Sequence, residues 1–392
     1  MQLGHVRIGR PPAHLLAAGA LTLGLVGDAV MYAVLPAAAA AYGLGAVGVA
    51  AALSVNRFAR LALNPMAAAW LARTGLRRGG VVGAVLALVS TVGYAIAPGV
   101  TALLAARVAW GASFATLRLT VQGYATAQRR SAARHLGDAA ALQELAPAVL
   151  LVVGTAALAP LGVRGLFWAL AGLTALALPL ALALPRSQRA PSLATADATR
   201  APPPAQTRPW GPGSLLAASA FGVDGVLTAG IVLALMAVGW APLLAAQVGG
   251  GLLAARKVGQ VVSAPLAGRA GERFGVVRVV RLAGTATTLG LIAMAAAPFS
   301  TAALLVGTVV AMLAGSVVAT LVPAVVGGDH AAARLRQLGW LANARDLGAA
   351  VGAAVGPLLL VGAEHAGMVT LAFGVSAVLV ALACVLWRPA QP

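Results

Sequence analysis

The chain has 392 residues, 60% hydrophobic and only 9% charged, with a formal net charge of +18 and a mean hydropathy of +0.92. A soluble domain carries about 25% charged residues, so a soluble globular protein is excluded. Apolar runs long enough to cross a hydrocarbon core of about 30 Å recur along the whole length. These must be helices, because a helix satisfies its own backbone hydrogen bonds. The runs are continuous, unlike the short alternating segments of a barrel.

Twelve spans are expected in chain order: 14–41, 46–71, 79–97, 100–126, 136–160, 165–185, 213–239, 243–268, 279–297, 300–327, 336–361 and 366–387. The segment before the first, MQLGHVRIGRPPAH, is basic. The apolar run after it is a full span with no small-residue cleavage site, so no cleavable signal is expected. Connectors alternate in charge. RTGLRR (73–78), RRSAAR (129–134), RAGERFGVVR (269–278) and RLR (334–336) are basic. YGLGA, APGVT, GWAP and APFST are neutral, GVRG carries only Arg164, and GAEHAG is acidic. The positive-inside rule places both termini in the cytoplasm. Trp70, Trp168, Trp210, Trp240 and Trp387 sit near span ends, as interface anchors do. The bias of basic residues to one side of a membrane also argues against nucleic acid as the partner of the positive charge.

Between spans 6 and 7, residues 186–212 are rich in Pro, Ala and Arg without apolar periodicity. They read as a cytoplasmic linker joining one six-helix bundle, residues 1–185, to a second, residues 213–392. The halves repeat. NRFARLALNPMAAAWLARTGLRR (56–78) lies over RKVGQVVSAPLAGRAGERFGVVR (256–278), and VGDAVMYAVL (26–35) lies over GVDGVLTAGI (222–231). LQELAPAVLLVVG (142–154) lies over ARDLGAAVGAAVG (344–356), which places Glu144 on Asp346. Paired segments share depth and side, as in transporters built of parallel repeats about an axis along the membrane normal.

The loops between spans 2 and 3 and between spans 8 and 9 carry a recurrent pattern. The second has Gly268, Glu272, Arg273, Gly275 and Arg278. The first has Arg73, Gly75, Arg77 and Arg78, with Ala68 and Ala72 where a glycine and an acid would stand. Span 4 holds RVAWGASF with Arg107 and Gly111, span 6 opens on GVRGLFWA, and span 11 contains Gly348, Gly352, Gly356 and Pro357. With these features the chain resembles the major facilitator superfamily across nearly its full length. That family carries G-x-x-x-D-R-x-G-R-R in the loop between spans 2 and 3 and a weaker copy between spans 8 and 9. It also has R-x-x-x-G in span 4 and, in antiporters, G-x-x-x-G-P in span 5. Span 5 lacks the last pattern here, and the nearest match is in span 11. The resemblance implies an all-α fold of twelve transmembrane helices in two six-helix bundles related by pseudo-twofold symmetry.

The spans contain Asp28, Arg57, Arg60, Arg107, Arg118, Glu144, Asp224, Arg256, Lys257, Arg345 and Asp346. An ionisable group at the bilayer centre costs at least about 2.5–3.5 kcal/mol and faces protein or a water-filled cavity. Away from their ends, spans 3, 6, 9 and 12 carry none. The resemblance implies that spans 1, 4, 7 and 10 line a central cavity. Spans 2, 5, 8 and 11 form the contact between halves, and 3, 6, 9 and 12 face lipid. Two cross-bundle pairs are expected, Arg57 with Asp346, and Glu144 with Arg256 or Lys257. Such pairs can also simply fix helix register. Asp28 and Asp224, on cavity spans, are the candidate proton carriers, because burial raises a carboxyl pKa. Arg107 is the candidate partner that holds such an acid ionised, or else an interhelical hydrogen-bond donor. Trp110 is a candidate substrate contact or a packing residue. Arg118, nearer the inner face, is expected to snorkel. The span 11 glycines read as close packing.

The five histidines lie in loops or at span edges, and Cys384 is the single cysteine. No metal cluster, no disulfide and no Cys–His pair is therefore expected. Without G-x-x-x-x-G-K-[ST], ATP does not drive the protein directly, and no enzyme activity and no cofactor are expected. With 26 arginines against one lysine, the composition suggests a GC-rich bacterial genome and an inner-membrane location. The resemblance implies a monomeric secondary transporter whose partners are a small-molecule substrate, protons, and anionic lipid at the cytoplasmic loops. Proton-coupled efflux is the first reading, and symport or facilitated uptake the second. A non-transporting sensor or assembly scaffold is the reading from another class.

Overall fold

A computed structural model describes residues 11–35, 42–44, 46–186, 212–240, 242–325, 331–361 and 366–386. The basic segment 1–10, most of the linker expected over 186–212, residues 362–365 of the acidic GAEHAG connector, Trp210 and Trp387 lie outside the described residues. Twelve helices run in order, and no strand occurs among the described residues. They are α1 Ala13–Val34, α2 Ala46–Thr74, α3 Leu76–Ile96, α4 Val100–Ala125, α5 Ala132–Ala175, α6 Ala177–Leu182, α7 Pro212–Ala237, α8 Pro242–Phe274, α9 Val276–Ala295, α10 Thr301–Leu321, α11 Ala331–Val361 and α12 Ala366–Leu386.

The helix α5 covers two of the expected spans. Gly162 adopts φ 63°, a left-handed conformation that ends a helix at little cost only for glycine. The chain reverses there, and the arm beyond it joins α6 as the sixth span, Pro160–Leu182.

Among the described residues, seven stretches are long and apolar enough to cross a membrane on composition alone. Helix α2, the first arm of α5, α7, α8 and α11 each carry intramembrane charge. Their charged side chains meet one another inside the protein. The peripheral helices show the opposite pattern. Along α12, Leu371, Val375, Val378, Leu379 and Leu382 are all exposed, on a stripe of helical period that lipid tails can cover.

Each bundle packs around its own helices: α1 against α5, α3 against α4, α7 against α11, and α9 against α10. The bundles meet where α5 packs on α8 and α2 on α11. The two ends of this seam differ. At the end bearing the basic connectors, hereafter the basic end, one apolar core draws on both bundles. Ala68, Leu71, Leu76, Leu119 and Ala133 pack with Leu216, Leu321, Leu335, Leu338 and Leu341. Toward the neutral end the apolar cores are separate among the described residues. One, with Val30, Tyr94 and Phe167, is built from the first bundle only. The other, with Leu227, Met294 and Phe373, is built from the second only. The molecule is thus sealed at its basic end.

Candidate functional site

Four carboxylates on the spans organise the centre of the molecule. In the first bundle, Arg107 on α4 is fully buried and forms an ion pair through Nη1 with Asp28 on α1. Its Nε donates to the Ala52 carbonyl at 2.8 Å, and Nη1 also lies 3.4 Å from the Tyr94 hydroxyl oxygen. Tyr42 donates to the Tyr94 carbonyl at 2.8 Å. A guanidinium offers several donors in a fixed fork, so it ties α1, α2, α3 and α4 together at one point.

In the second bundle, Asp224 on α7 pairs with Arg256 on α8. The adjacent Lys257, about 100° further round the helix, points across the seam and donates to Glu144 Oε2 on α5 at 2.6 Å. The sequence leaves Glu144 between Arg256 and Lys257; in the structure each cation takes its own acid.

At the other contact between bundles, the expected pairing of Arg57 with Asp346 needs correction. Asp346 forms an ion pair with Arg60, Nε at 3.3 Å, and accepts hydrogen bonds from Asn64 Nδ2 at 2.9 Å, like Arg60 on α2, and from Arg345 Nη2 at 2.9 Å on its own helix. The reason is helical phase. Asn56, Arg60 and Asn64, spaced by four, form one buried stripe on α2, and Arg57 lies off that stripe. Asn343 donates to the Leu61 carbonyl at 2.7 Å, a further bond across the same contact. Asn64 and Asn343 were not singled out from sequence, and Arg345 was counted among the span charges without an assigned partner. The spacing of two asparagines around Arg60 was the available signal.

A cavity of about 230 Å³ lies between the bundles, walled by α4, α5, α7, α8 and α10. Glu144, Lys257, Asp224 and Arg256 reach it, with Gln143, Gln260, Ser316 and Thr320 as neutral polar groups. Arg118 also lines it, so this residue turns inward and does not snorkel to the surface. Asp28, Arg107 and Trp110 do not line this cavity. Of its two expected roles Trp110 takes the packing one: it is buried within the first bundle beside Phe114, ring centres 5.8 Å apart.

The loop patterns have a backbone explanation. Gly75 and Gly275 adopt φ 90° and 87° at the starts of α3 and α9, where a β-carbon would be strained. Arg73 and Arg273 occupy the last turns of α2 and α8, where positive charge complements the helix dipole. Arg77 donates to the Leu182 carbonyl at 2.8 Å and so ties the first loop to the end of α6. Arg78 lies beside it on a basic-end groove that also contains Trp70 and Arg186. Gly268 allows α8 to approach α5: a β-carbon there would lie 2.7 Å from the Ala133 carbonyl oxygen. Glu272 lies 3.8 Å from Arg134 of the first bundle. Arg278 falls in the first turn of α9. Gly348 and Gly352 meet the backbone of Ala218 and Gly222, so the span 11 stripe packs α11 onto α7 within one bundle.

Two bundles of this composition, meeting through the second and fifth spans of each, are matched over almost the whole chain by solved transporter structures. The human organic anion transporter MFSD10 (TETRAN) aligns with a TM-score of 0.74 at 16% identity, covering 97% of this chain and 100% of that one. The proton:xylose symporter XylE aligns at 0.68 and 16%, covering 95% and 94%. FucP, the Escherichia coli fucose:proton symporter, aligns in its outward conformation at 0.70 and 13%, covering 94% and 98%. The chain has the major facilitator fold. No protein-family model and no curated protein sequence matches it. Within this fold, the α2–α11 and α5–α8 contacts carry the cross-bundle pairs, and the 230 Å³ cavity lies where the two repeats meet.

Proposed function

We propose that the protein is a secondary transporter that moves a small molecule by alternating access. The two bundles rock about the central cavity, with efflux coupled to proton entry. The observation that carries this reading is the ion pair of Glu144 with Lys257, which joins the bundles at a polar cavity that the Asp224–Arg256 pair also lines. Such groups are costly in a protein that only needs to stay folded. Ion pairs at a seam can part and re-form, whereas a fully apolar interface offers no comparable switch. Asp28, tied to Arg107, and Asp224, tied to Arg256, are the proposed proton carriers. The shared apolar core at the basic end is one gate, and the loops at Gly75 and Gly268–Arg278 steer its opening.

In this reading the basic end and both termini face the cytoplasm of a bacterial inner membrane, which the positive-inside distribution supports. The chain then acts as a monomer, with anionic lipid at its basic loops. A second reading, proton symport, is favoured by two of the structural neighbours, XylE and FucP, which are described as proton symporters.

The test is flux in proteoliposomes against a panel of metabolites and drugs, with and without a pH gradient, for wild type, Asp28→Asn and Asp224→Asn. Flux driven outward against an inward proton gradient supports antiport. Co-directional flux supports symport. Wild-type flux indifferent to the gradient removes proton coupling, and absence of any flux removes transport.

A further inference from the structure

Positive and negative groups inside the membrane do not balance. Away from their ends, the spans hold seven cationic side chains against four carboxylates. Asp28, Glu144 and Asp224 are matched by Arg107, Lys257 and Arg256. Asp346 is shared between Arg60 and Arg345. Among the described residues no carboxylate pairs with Arg118.

The imbalance concentrates at one point. Phe114, one turn before Arg118 on α4, gathers three guanidinium groups. Arg60 lies 4.6 Å, Arg345 5.4 Å and Arg118 5.6 Å from its ring centre. These come from three helices in two bundles, and a single carboxylate, Asp346, serves Arg60 and Arg345 but not Arg118. The ring face offsets part of the charge. Arg345 is nearly sealed, its side chain 5% exposed, and its Nη1 has no hydrogen-bond partner. Arg345 and Arg118 line one small void of about 10 Å³, room for a single water. On its other side Arg118 opens onto the 230 Å³ cavity. A guanidinium cannot shed its proton, so the positive charge is permanent.

We infer that the solute taken into the central cavity is an anion, with Arg118 receiving its negative group and Arg345 adding to the local field from behind. This rests on the proposed reading of the cavity as a transport site and names the class of its substrate. A carboxylate, sulfonate or phosphate fits, since each accepts charge-assisted hydrogen bonds from a guanidinium. The cavity acids do not oppose it, because Glu144 and Asp224 are each held by a cation of their own. The volume, below the roughly 300–1,000 Å³ of pockets for drug-sized ligands, calls for a solute of metabolite size.

The experiment measures thermal unfolding of the purified full chain in detergent, at constant ionic strength and chloride. Benzoate, succinate and glycerol 3-phosphate are compared with benzamide, succinamide and glycerol. Vesicle flux of the same compounds runs in parallel. At least one anion is expected to raise the unfolding midpoint where its neutral counterpart does not. Arg118→Gln is expected to weaken that anion about tenfold or more, while Arg118→Lys retains part of the affinity. Without solute, Arg118→Gln is expected to be as stable as wild type, because it breaks no ion pair. If no anion differs from its neutral counterpart, or if anion binding is indifferent to Arg118→Gln, the inference is overturned. Flux of a neutral or cationic solute unaffected by Arg118→Gln also overturns it while leaving transport standing. Anion binding without flux of any compound removes transport and leaves the anion site.

Discussion

Lys257 Nζ lies 2.6 Å from Glu144 Oε2, and these two residues belong to different bundles. The bond therefore crosses the surface along which the halves must move. Both side chains are partly exposed to the cavity, so the pair is wet and its contribution to stability is small, about 1 kcal/mol or less. Lys257→Met and Glu144→Gln are expected to lower thermal stability only slightly. The effect falls instead on the equilibrium between conformations. The swap Glu144→Lys with Lys257→Glu restores the bond, and flux in vesicles is expected to recover from either single reversal. A swap no better than its parents counts against a paired role.

The Asp346 cluster behaves differently because it is dry. Asp346 is 2% exposed and is the one carboxylate serving Arg60 and Arg345. Asp346→Asn leaves two buried guanidiniums without it, and removal of one partner from a buried pair costs about 3–5 kcal/mol. A large drop in the unfolding midpoint or loss of folded protein is expected. Adding Arg345→Gln to Asp346→Asn relieves part of that loss. A fully additive double variant would show that the two side chains act independently.

In the first bundle, Arg107→Gln leaves Asp28 buried without its guanidinium, and Asp28→Asn leaves Arg107 without its carboxylate. The double variant is expected to be more stable than Arg107→Gln alone, because no buried charge remains. If Asp28 carries the proton, Asp28→Asn also makes any residual flux indifferent to the pH gradient. Flux that still responds to the gradient in this variant assigns the proton elsewhere.

Gly75 and Gly275 share a left-handed backbone with open space where a β-carbon would go. Alanine at either position is expected to cost about 1–2 kcal/mol from conformation alone, nearly the same at the two sites. Thermal unfolding of the two single variants checks this, and a large inequality between them would point to contacts beyond the backbone.

The fold was legible in the sequence because membrane spans announce themselves by length and apolarity, and the charge of the connectors alternates. The repeat was legible because it aligns Glu144 with Asp346 and the two glycine-containing loops with each other. Depth along a helix could also be read, since it depends on residue count. Rotation was harder. Arg57 and Arg60 have nearly the same depth, and only the stripe Asn56, Arg60 and Asn64 indicates which of them faces α11. Arg118 was expected at the surface because of its depth, but its rotation on α4 turns it into the cavity. Trp110, a lone aromatic on a span, gives no sign of direction, and in the structure it faces the interior of its own bundle.

The seal at the basic end offers the most direct test of alternating access. Ala68 on α2 and Gly339 on α11 face each other across the seam; a β-carbon on Gly339 would lie 2.7 Å from that of Ala68. With Cys384→Ser as background, since Cys384 is the single native cysteine, Ala68→Cys with Gly339→Cys can be oxidised to lock this contact once the two helices shift by about 1 Å to the β-carbon spacing of a disulfide. The measurement is vesicle flux before oxidation, after it, and after reduction. Flux that stops on cross-linking and returns with reductant is the predicted result. Undiminished flux through a fully cross-linked protein would contradict a transporter whose two bundles part at that end.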